Sequence, residues 1–101
     1  MTATEALAVV CDCLLGPGAI PAQLRQGLGL DKPRFAALVA ALRLLTSHYA
    51  PATEVPKRLA LCLVDVYGGF SFREGFYPGQ QAAEIEDAGI LLQNIANELF
   101  S

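Results

Sequence analysis

The sequence predicts an all-α domain, a compact bundle of four to five helices, and three observations carry this prediction. The chain has 101 residues, of which 53% are hydrophobic and 17% charged, a composition typical of one folded domain. Apolar residues recur at spacings of three and four along its longer segments, as in amphipathic helices. Most glycines and prolines fall between these segments, where they end helices. We therefore expect residues 1–101 to form a single helical domain.

The first predicted helix covers residues 3–15. Thr2 and Glu5 have the S/T-x-x-E spacing of a capping box, in which each side chain accepts a hydrogen bond from a backbone amide near the helix start. An apolar stripe at helical spacing follows: Leu7, Val10, Cys11 and Leu14. The glycine-proline-glycine sequence at 16–18 ends the helix.

Two further helices are predicted before residue 50. Pro21 suits the first position of a short helix that reaches Leu28, because the missing N–H of proline would be unpaired there anyway. Asp31 is expected to cap a longer helix with Pro33 in its first turn. The inward stripe of this longer helix contains Phe35, Leu38, Leu42, Leu45 and Tyr49.

Residues 58–77 admit two interpretations. A helix would bury a stripe of four side chains: Leu59, Cys62, Leu63 and Val66. A strand would instead alternate residues 59, 61 and 63, and Gly68-Gly69 would form the turn of a β-hairpin. The helix is favoured, because Thr53 offers a cap and Pro56 fits a first turn. The alternative is an α+β, winged-helix-like fold with a hairpin at residues 58–77.

The last predicted helix, residues 80–100, has apolar residues on two sides. A heptad-like seam is formed by Ile85, Ala88, Leu92, Ile95 and Leu99. Ile90, Leu91 and Phe100 add a second apolar side, so this helix is either central or pairs with another subunit. We predict that the protein forms a twofold homodimer through this helix, the aromatic segment described next, or both. The predicted dimer interface on the helix consists of Leu91, Leu92, Ile95 and Leu99.

Residues 67–77, YGGFSFREGFY, contain five of the eight aromatic residues. Rigid rings around a single arginine are typical of a surface that binds a protein partner. The same rings also suit closure of one end of the core, which is the favoured interpretation, with some rings still exposed. The candidate partner-binding residues are Tyr67, Phe70, Phe72, Arg73, Phe76 and Tyr77.

A second candidate function comes from residues 21–42. Their packing positions match a helix-turn-helix at Leu24, Leu28, Gly29, Leu30, Phe35, Leu38 and Leu42. The segment therefore resembles the helix-turn-helix of bacterial DNA-binding domains. The resemblance implies a DNA-binding regulator that uses residues 21–43, with Lys32, Arg34 and Arg43 on the DNA. A formal charge of −3 and few side chains that read base edges make nucleic acid the less expected partner.

No motif for catalysis or for a cofactor is present, so we expect a protein that is not an enzyme and has no cofactor. The three cysteines have apolar neighbours, which predicts buried reduced thiols and no metal site. The longest apolar run is far shorter than a membrane span, and the first residues lack the basic region of an export signal. The hypothesis is a cytoplasmic protein-interaction or adaptor domain that self-associates and does not enter a membrane.

Overall fold

A computed structural model describes all 101 residues as five α-helices and one 3₁₀ turn. The helices are α1 (Ala3–Leu14), α2 (Ile20–Arg25), α3 (Lys32–Tyr49), α4 (Lys57–Leu63) and α5 (Gly79–Leu99), and the 3₁₀ turn is Gly68–Phe70. The all-α prediction is confirmed. The alternative hairpin at residues 58–77 is wrong, because these residues form α4, a run of turns and the 3₁₀ turn, with no strand pairing.

Local capping signals set the starts of α1 and α3. The Thr2 hydroxyl accepts a hydrogen bond from the Glu5 amide at 3.1 Å, and the Glu5 carboxylate accepts one from the Thr2 amide at 3.0 Å. These bonds hold the pKa of Glu5 below its ordinary value, because they favour the ionised carboxylate. The Asp31 carboxylate accepts from the Arg34 amide at 3.2 Å. The predicted caps Thr2 and Asp31 are confirmed, whereas the predicted cap Thr53 is wrong, because α4 begins at Lys57 directly after Pro56.

Two helices are shorter than predicted. α2 ends at Arg25 rather than Leu28, since the chain reverses through Gly27 and Gly29, both at φ 79°, a left-handed conformation that favours glycine. α4 ends at Leu63, and its backbone continues through turns until the 3₁₀ turn begins at Gly68. Val64 still has helical dihedral angles (φ −61°, ψ −31°), so the first residues after α4 extend its direction.

α3 lies at the centre of the molecule, between α1 on one side and α5 on the other. α4 has its main contacts with α1, and the 3₁₀ turn packs on α2 and α5. One cluster of 22 buried hydrophobic residues connects these elements. The largest side chains that are fully enclosed are Val10, Ile20, Leu24, Leu38, Leu42, Leu45, Leu59, Ile85, Leu92 and Ile95. The protein measures 42 × 23 × 20 Å.

Candidate interaction surface

Two of the aromatic residues proposed as partner contacts lie inside the core. Phe70 is buried and meets the ring of Phe35 edge-on, with 6.2 Å between the ring centroids. Tyr77 is also buried, and its hydroxyl donates a hydrogen bond to the Leu24 carbonyl at 2.6 Å. The same hydroxyl accepts one from the Gly29 amide at 3.3 Å. These contacts join the aromatic segment to the end of α2, so this part of the segment closes the core.

The remaining aromatic residues lie nearer the surface. The rings of Phe72 and Phe76 are half-buried and stacked, with centroids 5.2 Å apart. The exposed guanidinium of Arg73 lies 6.0 Å from the centroid of Phe76. Tyr67 is half-buried and donates its hydroxyl hydrogen to Glu86 at 3.3 Å. The surface that this segment offers a partner is therefore Arg73 and parts of its neighbouring rings.

The predicted dimer seam of α5 faces the interior of its own chain. Leu92, Ile95 and Leu99 are buried in the common core, and Leu91 is half-buried against it. α5 packs on α3 and on the 3₁₀ turn. The exposed large apolar side chains of this end of the chain are Ile90 and Phe100. The apolar surface that α5 offers a second copy is thus smaller than its sequence indicates.

The three candidate DNA contacts lie in different surroundings. Arg34 donates to the carbonyls of Gly18 and Asp12 at 2.5 and 2.8 Å, and it pairs with the Asp12 carboxylate at 3.3 Å. Lys32 forms an ion pair with Glu84 at 3.4 Å. Arg43 is exposed and has no ion-pair partner in the chain. Arg34 therefore ties the end of α1 to the start of α3, and one of the three cations is free of such contacts.

An apolar surface that we did not predict lies on α4 and on the turn that follows it. Leu61 and Val64 are large apolar side chains with 60% and 80% of their area exposed. They border a groove of about 350 Å³, whose other walls include Leu15 and Pro21. Arg58, on α4, and Asp65, in the turn that follows, are both exposed. We call Arg58, Leu61, Val64 and Asp65 the α4 face.

A second cavity adjoins this groove along α1. Its volume is about 560 Å³, and its lining includes Thr4, Cys11 and Arg58. Leu15 and Gly16 line both the cavity and the groove, so the two form neighbouring depressions at the end of α1. Arg58 lines the cavity and Asp65 lines the groove. The α4 face therefore has its cation, Arg58, beside the cavity and its anion, Asp65, beside the groove.

The three cysteines are buried and reduced, as predicted. Cys11 on α1 and Cys62 on α4 are in contact, with 3.5 Å between their sulfur atoms. Burial and the hydrogen bond to Cys11 raise the pKa of Cys62 to about 12. Burial also raises the pKa of Cys13. Cys62 also lines the groove, together with Leu61, Val64 and Asp65 of the α4 face.

A simple sequence signal points to the exposed residues of the α4 face. The predicted stripe at residues 59, 62, 63 and 66 is buried in the structure. Leu61 and Val64 are the two large apolar residues of this run that lie off the stripe. A helix that buries one stripe exposes residues on its opposite side. This signal was missed because nearly all residues of the run are apolar, which is also typical of a helix that is buried on every side.

The fold and this surface define a small all-helical protein with one exposed apolar helix face beside a groove. Comparison with protein-family models, curated proteins and solved structures gives no match. No group of three or more His, Cys, Asp and Glu side chains is arranged to hold a metal ion. None of the helices has both the length and the apolar character needed to cross a bilayer.

Proposed function

We propose that the protein is a small interaction domain that self-associates by packing its α4 face on the α4 face of a second copy. The observation that carries this proposal is the exposure of Leu61, on α4, and of Val64, the residue that follows α4. Apolar area removed from water contributes about 25 cal/mol per Å². Covering these two side chains therefore favours association, and the adjoining groove offers a recess for an aliphatic side chain of the second copy.

The charges of the α4 face favour a second copy as the occupant. Arg58 lies three residues before Leu61, and Asp65 lies three residues after Cys62. The two charges are therefore equally far along the chain from the point between Leu61 and Cys62. In an antiparallel pair of α4 helices related by a twofold axis, Arg58 of each chain faces Asp65 of the other. Neither side chain has an ion-pair partner within its own chain. The surface is thus self-complementary in charge, with apolar residues at its centre.

The proposed interface differs from the one predicted on α5. Self-association remains the function, but Leu92, Ile95 and Leu99 already pack inside the chain, whereas Leu61 and Val64 are free. A DNA-binding role is the weaker candidate, because intramolecular contacts engage Arg34 and Lys32. The proposal is for a non-catalytic domain whose partner is a protein surface.

Light scattering over a concentration series tests this function. We expect the wild type to shift from monomer to dimer in the micromolar range, and Val64→Asp to weaken the dimer about tenfold or more, because it places a charge in the apolar centre. Leu28→Asp is the matched control, since Leu28 is 68% exposed but lies in the loop between α2 and α3.

Leu28→Asp is expected to dimerise like the wild type, and far-ultraviolet circular dichroism should show both variants folded. A wild type that stays monomeric at about 100 μM would overturn the proposal, because a specific dimer of this kind should form well below that concentration. Equal loss of dimer in the two variants would also overturn it, since the effect would then not belong to the α4 face.

A further inference from the structure

Cys11 and Cys62 form a pair of thiols between two helices. Their sulfur atoms lie 3.5 Å apart, and the Cys62 thiol donates a hydrogen bond to the sulfur of Cys11. A disulfide bond is roughly 1.5 Å shorter than this contact. A small approach of α4 toward α1 would therefore bring the two sulfur atoms to bonding distance.

Each cysteine of the pair lines a different depression. Cys11 lines the cavity of about 560 Å³, and Cys62 lines the groove of about 350 Å³. Both residues retain 6% of their exposure. Cys13 is more deeply buried and lines neither depression. A small oxidant can therefore reach the pair, whereas a bulky protein thiol cannot.

We propose that Cys11 and Cys62 are an oxidation site, at which a hydroperoxide joins α1 and α4 through a disulfide. In the first step the sulfur of Cys11 attacks the peroxide, an S–O bond forms, and the O–O bond breaks. The departing oxygen takes up the thiol proton, which leaves a sulfenic acid and, from hydrogen peroxide, one water.

In the second step the sulfur of Cys62 attacks the sulfur of Cys11. The S–S bond forms, the S–O bond breaks, and the hydroxyl leaves as water with the proton of Cys62. The two thiols are oxidised by two electrons in total, and the peroxide is reduced by the same two electrons. No other reactant is required.

The surroundings of the two thiols set their order of reaction. Cys62 is the hydrogen-bond donor of the pair, and its pKa is raised to about 12. Cys62 therefore keeps its proton near neutral pH, while Cys11 accepts the hydrogen bond and lines the larger cavity. Cys11 is therefore the attacking sulfur and Cys62 the resolving one.

The disulfide would link α4 covalently to α1. α4 has its main contacts with α1, and the linked residues are 51 positions apart. Closing a loop of this length restricts the unfolded chain strongly, which predicts a rise in Tm of about 10 °C on oxidation. The reaction needs one chain only, so the inference does not depend on self-association.

The test treats the full chain with hydrogen peroxide, unfolds it in urea so that N-ethylmaleimide blocks every remaining thiol, and measures the intact mass and a non-reduced peptide map. The expected product has lost two hydrogens, links Cys11 to Cys62 and carries one blocked thiol on Cys13. Its Tm should exceed that of the reduced protein, and dithiothreitol should reverse the difference. Cys13→Ser should give the same link, and so should the Val64→Asp variant.

Cys62→Ser separates this site from general oxidation of thiols. This variant should form no link, and dimedone should trap a sulfenic acid on Cys11. A map in which Cys13 supplies one end of the link would overturn the proposal. Products of the wild type that gain oxygen without losing two hydrogens would overturn it too, as would a disulfide in Cys62→Ser equal in yield to that of the wild type.

Discussion

The long helices α3 and α5 differ from the short helix α4 in how much of their large apolar side chains is exposed. α3 and α5 have 18 and 21 residues, and each has fully enclosed leucines, such as Leu42 and Leu92, while Ile90 of α5 is 43% exposed. α4 has seven residues and exposes Leu61. The difference teaches that a short helix with one buried stripe can leave large apolar residues at the surface: Leu61 and Val64, the residue after α4, are more exposed than any large apolar side chain of α3 or α5.

The two regions also differ in stability, because α4 is much shorter than α3 and α5. A helix of seven residues is unstable alone in water, so α4 depends on its packing against α1. α3 packs on both α1 and α5 and belongs to the centre of the core. Elements with fewer buried contacts open more readily than the core does. We expect α4 to respond to surface changes and to oxidation more than α3 and α5 do.

Truncation of a leucine in each region should give the largest contrast. Leu42→Ala leaves a cavity in the core and is expected to lower the free energy of unfolding by about 3 kcal/mol. Leu61→Ala removes an exposed side chain and should change it by less than about 0.5 kcal/mol. Urea denaturation of the two variants under dimer-dissociating dilution measures both. Similar losses in both variants would contradict the division between the regions.

Two glycines of α5 should respond in opposite directions to alanine. A Cβ at Gly89 would lie 2.8 Å from the Cβ of Phe70, which cannot rotate away, so Gly89→Ala should destabilise the protein by about 2 kcal/mol. Gly79 has no neighbour within 4 Å, and Gly79→Ala should stabilise it by about 0.5 kcal/mol. Thermal unfolding compares the two. Stabilisation by Gly89→Ala would show that α5 does not approach the 3₁₀ turn closely.

Two tyrosine hydroxyls distinguish the closed end of the core from its surface. Tyr77→Phe removes buried hydrogen bonds to Leu24 and Gly29, and we expect a loss of about 1–2 kcal/mol in the free energy of unfolding. Tyr67→Phe removes an exposed bond to Glu86 and should cost less than about 0.5 kcal/mol. Chemical denaturation measures both values. An equal effect would place the hydroxyl of Tyr77 in solvent.

Alkaline pH should weaken the attachment of α4. The pKa of Cys62 is raised from 9.0 to about 12, so between these values the unfolded chain loses the thiol proton while the folded chain keeps it. The contribution of the protonated Cys62 thiol to the free energy of unfolding is therefore present below pH 9 and is lost as the pH rises toward 12. Cys62→Ala should flatten the fall in stability over this range. Parallel curves for wild type and variant would contradict the raised pKa.

Local signals made the long helices predictable. The capping residues Thr2 and Asp31 act on amides three positions away, so the sequence alone locates the starts of α1 and α3. The start and end of α5 each differ by one residue from the predicted range of 80–100. Its periodicity indicated an apolar seam. The pattern could not tell whether α3 or a second copy covers that seam, because both would bury the same residues.

The conformation of residues 58–77 is set by contacts with distant parts of the chain, so the local sequence does not predict it. Gly68-Gly69 suits either a hairpin turn or a helical turn, and its own sequence does not decide between them. In the structure Phe70 packs closely against Gly89, and Tyr77 bonds to the end of α2. These contacts fix the segment as a 3₁₀ turn and a loop. The groove beside α4 arises from the same arrangement, which explains why it was not predicted.

Charge reversal at the two ends of the α4 face tests self-association most directly. Arg58→Asp alone and Asp65→Arg alone each place like charges opposite one another in the proposed antiparallel pair, so each variant should be monomeric where the wild type is dimeric. Mixed in equal amounts, the two variants have opposite charges at both contacts. Sedimentation velocity on the mixture should recover a dimer that contains one chain of each variant. A mixture that remains monomeric at concentrations where the wild type dimerises would contradict the α4 interface.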